Sequence, residues 1–217
     1  IYIVDSGIRS THAEFVGRIG NGVDKVTWHD PDQRWDLRLD STEDCNGHGT
    51  HVAAIAAGTQ YGVAKKAMVH PVRVIDCLGG AKLSDVTAGL DWILSNHVKP
   101  AVVNMSLGGV PSTTFDNAVS VLLNAGITVV VSAGNDSGDA CLKSPARVPA
   151  ALTVASVDIT DQLSHFSNYG SCVDIKAPGT AIKSAGIGSD SDVKEAYGTS
   201  MSAPHVAGAA ALLLGQD

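Results

Sequence analysis

Short, unbroken apolar runs alternate along this chain with stretches whose apolar residues recur every three or four positions. The first run, Ile1-Tyr2-Ile3-Val4, breaks on Asp5-Ser6-Gly7. An apolar run without polar alternation marks a strand covered on both faces. Residues 68–75, 101–105, 128–131, 151–157 and 173–177 repeat that signature. Helical stripes lie between or after them. One is the Ala-rich stretch from His48 to about Gly58, and another is Leu83, Val86, Leu90, Ile93 and Leu94. A third, Phe115, Ala118, Val119 and Leu122, has Ser112 to cap it and Gly126 to stop it. The last is Val206, Ala209, Ala210, Leu213 and Leu214. This order predicts a three-layer α/β fold: a doubly wound, mostly parallel sheet with right-handed crossovers and helices on both faces. Ligands of such sheets bind beyond the carboxyl ends of the strands. Three predicted ends carry polar or glycine-rich punctuation: Asp5-Ser6-Gly7, Ser106-Leu107-Gly108-Gly109, and Ser132-Ala133-Gly134-Asn135. Two predicted helix starts, bearing His48 and Ser200, face the same edge.

Composition narrows the partners. At 217 residues the chain is long enough for one domain with a sizeable core. Its 44% hydrophobic content, 5% aromatic content and 23 glycines suit α/β packing with many close backbone approaches. A net charge of −7, with no basic cluster, argues against nucleic acid and anionic membrane as partners. No apolar run reaches the length of a membrane span and no signal peptide is visible. The chain opens directly on an apolar strand, which reads as the middle of a domain. Cys45, Cys77, Cys141 and Cys172 form no CxxC pair, which argues against tetrahedral zinc. Two disulfides in a secreted protein, or four buried thiols, remain, and spacing alone allows three pairings. Residues 29–44 carry Asp30, Asp32, Asp36, Asp40, Glu43 and Asp44 against Arg34 and Arg38, and are expected to form a solvated loop.

The candidate chemistry starts at Ser200. A helix start offers free N–H groups and a dipole that favour developing negative charge, which suits a nucleophilic hydroxyl. Most serines ahead of helices are simple caps, so the nucleophile needs a base, an orienting carboxylate and an oxyanion donor from elsewhere. Asp5 at a strand end would otherwise be an ordinary turn residue. His48 and His51 are spaced i, i+3 and would suit a metal, yet the HExxH glutamate and a third ligand are missing.

Four segments in order make the pattern specific. Asp5-Ser6-Gly7, Asn46-Gly47-His48-Gly49-Thr50-His51-Val52, Ala133-Gly134-Asn135, and Gly198-Thr199-Ser200-Met201-Ser202-Ala203-Pro204-His205 resemble the signature segments of subtilisin-like serine proteases. Tyr61-Gly62-Val63-Ala64-Lys65-Lys66 and Ser167-Asn168-Tyr169-Gly170 resemble the proteinase K branch, and the cysteine spacing is similar to its aqualysin-type bacterial members. The resemblance implies a subtilisin-like peptidase domain over residues 1–217, short of the family's N- and C-terminal extremities. It implies a serine endopeptidase working through an acyl-enzyme, with Ser200 as nucleophile, His48 as base, Asp5 as its orienting acid and Asn135 as oxyanion donor. Gly79, Gly80 and Ala81 on one side, and Ser106, Leu107 and Gly108 on the other, would sandwich an extended substrate by strand addition. Ala133 and Gly134 would wall the pocket for the side chain before the scissile bond. With no charge in these segments, aromatic or aliphatic residues are expected there.

Further implications concern ligands and partners. The resemblance pairs Cys45 with Cys77 and Cys141 with Cys172. It also implies a structural Ca²⁺ held by Asp174 and the carbonyls of Pro149 and Ala151, with no cofactor for catalysis. Expected too are polypeptide substrates, an inhibitory prosegment outside this chain, a monomer, and secretion. The rival readings are a catalytically silent binding module or inactive fragment, a metal-dependent hydrolase using His48 and His51, and a non-proteolytic serine hydrolase. The last lacks its G-x-S-x-G elbow here.

Overall fold

A computed structural model describes residues 1–27 and 41–215. Seven parallel strands form one sheet. They are β1 (Tyr2–Asp5), β2 (Val23–Asp24), β3 (His70–Arg73), β4 (Val102–Met105), β5 (Thr128–Ser132), β6 (Leu152–Val157) and β7 (Ile175–Pro178). Their order across the sheet is β2-β3-β1-β4-β5-β6-β7. The expected fold class is therefore the one found, with strand limits trimmed. The run predicted over 68–75 pairs as a strand only at His70–Arg73, with Val69 and Ile75 making isolated bridges to Ile19 and Ala81.

Alternation along these short strands decides which helix covers which face. Tyr2, Val4, Val103, Met105, Val129 and Val131 join the core formed by α2 (Leu83–Asn96) and α3 (Thr113–Asn124). Ile3, on the other face, packs with α1 (His48–Ala57). Val102, Val130 and Val154 pack on Ala203 and Ala207 of α4 (Thr199–Leu214). Ser112 caps α3 as expected, its Oγ accepting from the Phe115 amide at 3.3 Å.

A second sheet was not expected. β8 (Ile182–Ala185) and β9 (Val193–Ala196) form an antiparallel hairpin whose Ser184 Oγ donates to the His51 carbonyl at 2.8 Å. Its mixed, half-polar sequence carries neither a continuous nor a cleanly alternating apolar signal.

Most of the solvated loop expected over 29–44, residues 29–40, lies outside the described residues. At its C-terminal end the expectation is corrected. Asp44 is partly buried, and both its carboxylate oxygens are engaged by the start of α1.

The disulfides join Cys45 to Cys77 and Cys141 to Cys172, with Cα–Cα separations of 5.0 and 5.3 Å. No helix among the described residues is long and apolar enough to cross a membrane.

Candidate active site

Because the main strands are parallel, the residues following β1, β4 and β5 emerge on one edge. Asp5 ends β1, Ser106 follows β4, and Ala133 follows β5. The starts of α1 and α4 come to that edge because the two helices cross closely. A Cβ built on Gly208 of α4 would lie 2.6 Å from the Ala56 carbonyl oxygen of α1. Glycine there lets the backbones approach.

Helix α1 begins without a side-chain cap at its own N-cap residue, Gly47, which sits at φ +101°. Its orphan amides are satisfied from outside. Asn46 Oδ1 accepts from His48 N at 3.2 Å, and Ser6 Oγ from Gly49 N at 2.9 Å. Asp44 Oδ2 accepts from Thr50 N at 2.9 Å, while its Oδ1 accepts from Gly47 N at 2.8 Å and from Ser6 Oγ at 2.9 Å. The turn carrying His48 is thereby bonded to the residue next to Asp5. Sequence reading missed Asp44, although an Asp three residues ahead of the Gly47 start is a capping signal.

His48 Nδ1 lies 2.8 and 2.9 Å from the two oxygens of Asp5. Asp5 is 0% exposed, whereas the His48 side chain is 30% exposed. A carboxylate only accepts, so Nδ1 carries the proton and Nε2 presents its lone pair. Burial works against the charged imidazole. The charge of Asp5, its hydrogen bond and the more distant charge of Asp44 outweigh that effect, and the His48 pKa stands above the ordinary value of 6.5. His51 goes the other way, its pKa lowered mainly by burial. It is 4% exposed, with Nε2 3.2 Å from the Lys194 carbonyl. The i, i+3 pair therefore does not present two open nitrogens. Among the described residues, no group of three or more His, Cys, Asp and Glu side chains is placed to hold a metal ion.

Ser200 occupies the first turn of α4, after Gly198 at φ +141°. Pro204, four residues on, has no N–H to offer the Ser200 carbonyl. Ser106 takes that role: its Oγ donates to the Ser200 carbonyl at 2.8 Å. In return Ser200 Oγ donates to the Ser106 carbonyl at 3.1 Å. Among the described residues' hydrogen bonds this is the one the Ser200 hydroxyl makes, and it is not to His48. Such contacts often tighten only when a substrate is bound. Asn135 Oδ1 accepts from Thr199 N at 2.8 Å and from Thr199 Oγ1 at 3.0 Å. A Cβ on Gly198 would stand 3.5 Å from the Asn135 Nδ2, 3.6 Å from its Oδ1 and 3.7 Å from the Ser200 amide nitrogen, so the Asn135 amide and the start of α4 border one space. His205 is a helix residue, its Nδ1 2.8 Å from the Met201 carbonyl.

A cavity of about 370 Å³ gathers Ser200, Asn135, Ala133, Gly134 and the 106–109 edge. It also holds a charge pair that sequence reading missed: Lys143 Nζ lies 2.8 Å from Asp136 Oδ2. An apolar cavity of about 280 Å³ is lined by Ala81, Leu83, Leu107, Gly108 and Phe115, among others, so both expected substrate edges border one space. On the first of these, the turn carrying Gly79 at φ +88° and Gly80 is folded around Asp76, whose Oδ1 accepts from Leu78 N and Gly80 N.

The model of the subtilase family matches residues 1–217. The chain belongs to the subtilase family. Among relatives of this subtilase, an extracellular serine proteinase of Thermus sp. (strain Rt41A) is 56% identical over 213 residues, 98% of this chain and 50% of the relative. Alkaline serine exoprotease A of Vibrio alginolyticus is 47% identical over 216 residues, 100% of this chain and 38% of the relative. A crystal structure of a cold-adapted subtilisin-like serine proteinase superposes with a TM-score of 0.90 at 47% identity, covering 100% of this chain and 75% of that one. The subtilase chain described here thus spans about half or less of the length of these two curated relatives.

Proposed function

We propose that this subtilase domain, over residues 1–217, is a serine endopeptidase. The observation that carries the reading is the pairing of accessible His48 with fully buried Asp5 on the sheet edge that also carries Ser200 and Asn135. Ser200 Oγ attacks the scissile carbonyl and His48 Nε2 takes its proton. Asp5 holds the imidazole tautomer and stabilises the imidazolium, and His48 then protonates the leaving amine. Water repeats the sequence on the acyl-enzyme. The developing oxyanion is met by Asn135 Nδ2 and by the Ser200 amide, which has no intrahelical partner so near the helix start.

Substrate lies extended between the 79–81 and 106–108 edges by strand addition. The side chain before the scissile bond enters the cavity walled by Ala133 and Gly134. The Asp136–Lys143 pair on that cavity is neutral overall, which supports a preference for aromatic or aliphatic residues. The apolar cavity at Ala81, Leu107 and Phe115 takes a side chain further along the substrate.

Asp174, Pro149 and Ala151 are the proposed ligands of a structural Ca²⁺. Their chemistry fits, because all are hard oxygens. Asp174 is exposed, and one carboxylate oxygen, Oδ2, accepts from the Thr153 amide at 2.8 Å while the other stays open. The two disulfides, and a relative named extracellular, support secretion. An inhibitory prosegment outside this chain, polypeptide substrates and a monomeric enzyme belong to the same reading.

A serine-directed phosphonyl fluoride tests the proposal. It is expected to label Ser200 alone by peptide mapping, in the presence of a strong zinc chelator, and to fail on His48→Ala. Absence of labelling would favour the silent binding module.

A further inference from the structure

The segment that carries Asn135 has few backbone partners of its own. Residues 133–138 form neither helix nor strand, and Gly134 and Ser137 sit at φ +104° and +52°. Buried amides and carbonyls still require partners. The Ala133 amide donates to the Val154 carbonyl at 2.9 Å and the Gly134 amide to Thr199 Oγ1 at 3.2 Å, while the groups on either side of Asn135 are met by one residue, Asn168, which is 0% exposed. Its Nδ2 donates to the Ala133 carbonyl at 2.9 Å, and its Oδ1 accepts from the Asp136 and Gly138 amides, each at 2.9 Å. Its own backbone N–H donates to the Gly134 carbonyl at 2.9 Å. These four bonds bracket Asn135 on both sides in sequence. Gly134 fits because any Cβ there would run into the Asn168 amide.

Asn168 is itself anchored. Ser167 Oγ accepts from Ser156 N of β6 and donates to the Asn168 carbonyl, both at 2.9 Å. Neighbouring backbone bonds, Ser137 N to the Phe166 carbonyl and Tyr169 N to the Gly138 carbonyl, join the same two segments. Beyond them the Cys141–Cys172 disulfide joins them covalently.

We propose that Asn168 is the positioning residue of the oxyanion donor, fixing the backbone around Asn135 so that its side chain stays in the cavity it shares with Ser200. The inference rests on the reading of Asn135 given above. Thr199 secures the Asn135 side chain through Oδ1, but the peptide units on either side of it depend on Asn168. The job calls for an amide of this length. It must donate at one atom and accept twice at the other, which a carboxylate or a hydroxyl of similar reach does not do.

A purely structural plug and a positioning residue differ in one measurable way. The effect of a positioning residue fades once the group it positions is removed. The test is a double-mutant cycle on kcat with a peptide anilide, using Asn135→Ala, Asn168→Ala and the double variant, below the melting temperature of the least stable protein. Asn168→Ala is expected to lower kcat by about tenfold or more beside Asn135, and by less than about threefold beside Asn135→Ala. Equal losses in both backgrounds, with Asn135→Ala itself severely impaired, would overturn the role of Asn168 and leave that of Asn135 standing. Full turnover by Asn135→Ala would overturn the reading of Asn135 instead. Asn168→Ser, which keeps a small polar group but not the bridging amide, carries the same cycle if Asn168→Ala does not fold.

Discussion

At the scale of single residues, the site depends on protons placed by unequal environments. Asp5 is sealed from water while His48 reaches it, which suits the proposed roles of orienting acid and proton-exchanging base. In the proposed role His48 would act as a base only when neutral, and its pKa is raised above 6.5. The acid limb of kcat/KM is therefore expected to have its midpoint above that value, with activity rising as pH rises through it. Asp44 contributes to the raised value, so Asp44→Asn should move the midpoint to lower pH; an unmoved acid limb in a pH–rate profile would refute this contribution. Asp5→Asn is expected to lower kcat by about 10⁴-fold, since an amide favours the wrong imidazole tautomer. Asn135→Ala should lose roughly 10²–10³-fold in kcat with its circular dichroism unchanged. Asp5, His48, Asn135 and Ser200, which the structure brings to one edge, stood out as candidates because each sits inside a dense run of unusual neighbours. The roles of Asp44 and Asn168 were not legible: Asp44 is one acid among several in a polar loop, and Ser167-Asn168-Tyr169-Gly170 stood out as a segment without showing which backbone groups its asparagine meets.

At the scale of elements, α1 and α4 are less self-sufficient than their Ala-rich sequences suggest. The first turn of α1 relies on Asp44, Asn46 and Ser6, and the first turn of α4 on Ser106 and Asn135. Asp44→Ala removes several of these acceptors at once and is expected to destabilise the protein by about 1–3 kcal/mol, read by denaturant unfolding. The close crossing of the two helices is the other requirement. Gly208→Ala must push α4 away from Ala56 and Val63, and should lower both the melting temperature and kcat. The helices themselves were readable from their periodicity, with ends within a few residues of those found. The β8–β9 hairpin was not, because its strands owe their pairing to packing on α1 rather than to an apolar pattern.

At the scale of the whole molecule, two disulfides tie loops to the site's supports. Cys45 lies three residues before His48, and Cys141–Cys172 closes off the pair of segments joined by Asn168. Each closes a loop of about 30 residues, worth ~3–4 kcal/mol on the chain-entropy model, so replacing either pair by serine should lower unfolding free energy by that order. A calcium chelator is expected to lower the melting temperature more than the initial rate. An unchanged melting curve would remove the proposed site at Asp174.

The order of apolar runs and helical stripes was enough to determine the layered α/β class, because a strand covered on both faces and a helix covered on one leave different periods in the chain. The same sequence singled out the four side chains proposed to react, because that proposal draws on their type and their immediate neighbours. It did not reveal which buried side chains hold those four in place. Asn168 lies 33 residues from Asn135, and Ser106 lies 94 from Ser200. Their partnerships exist only after the parallel sheet has brought distant strand ends to one edge, where irregular backbone must find its hydrogen bonds from whatever polar group the fold has placed within reach.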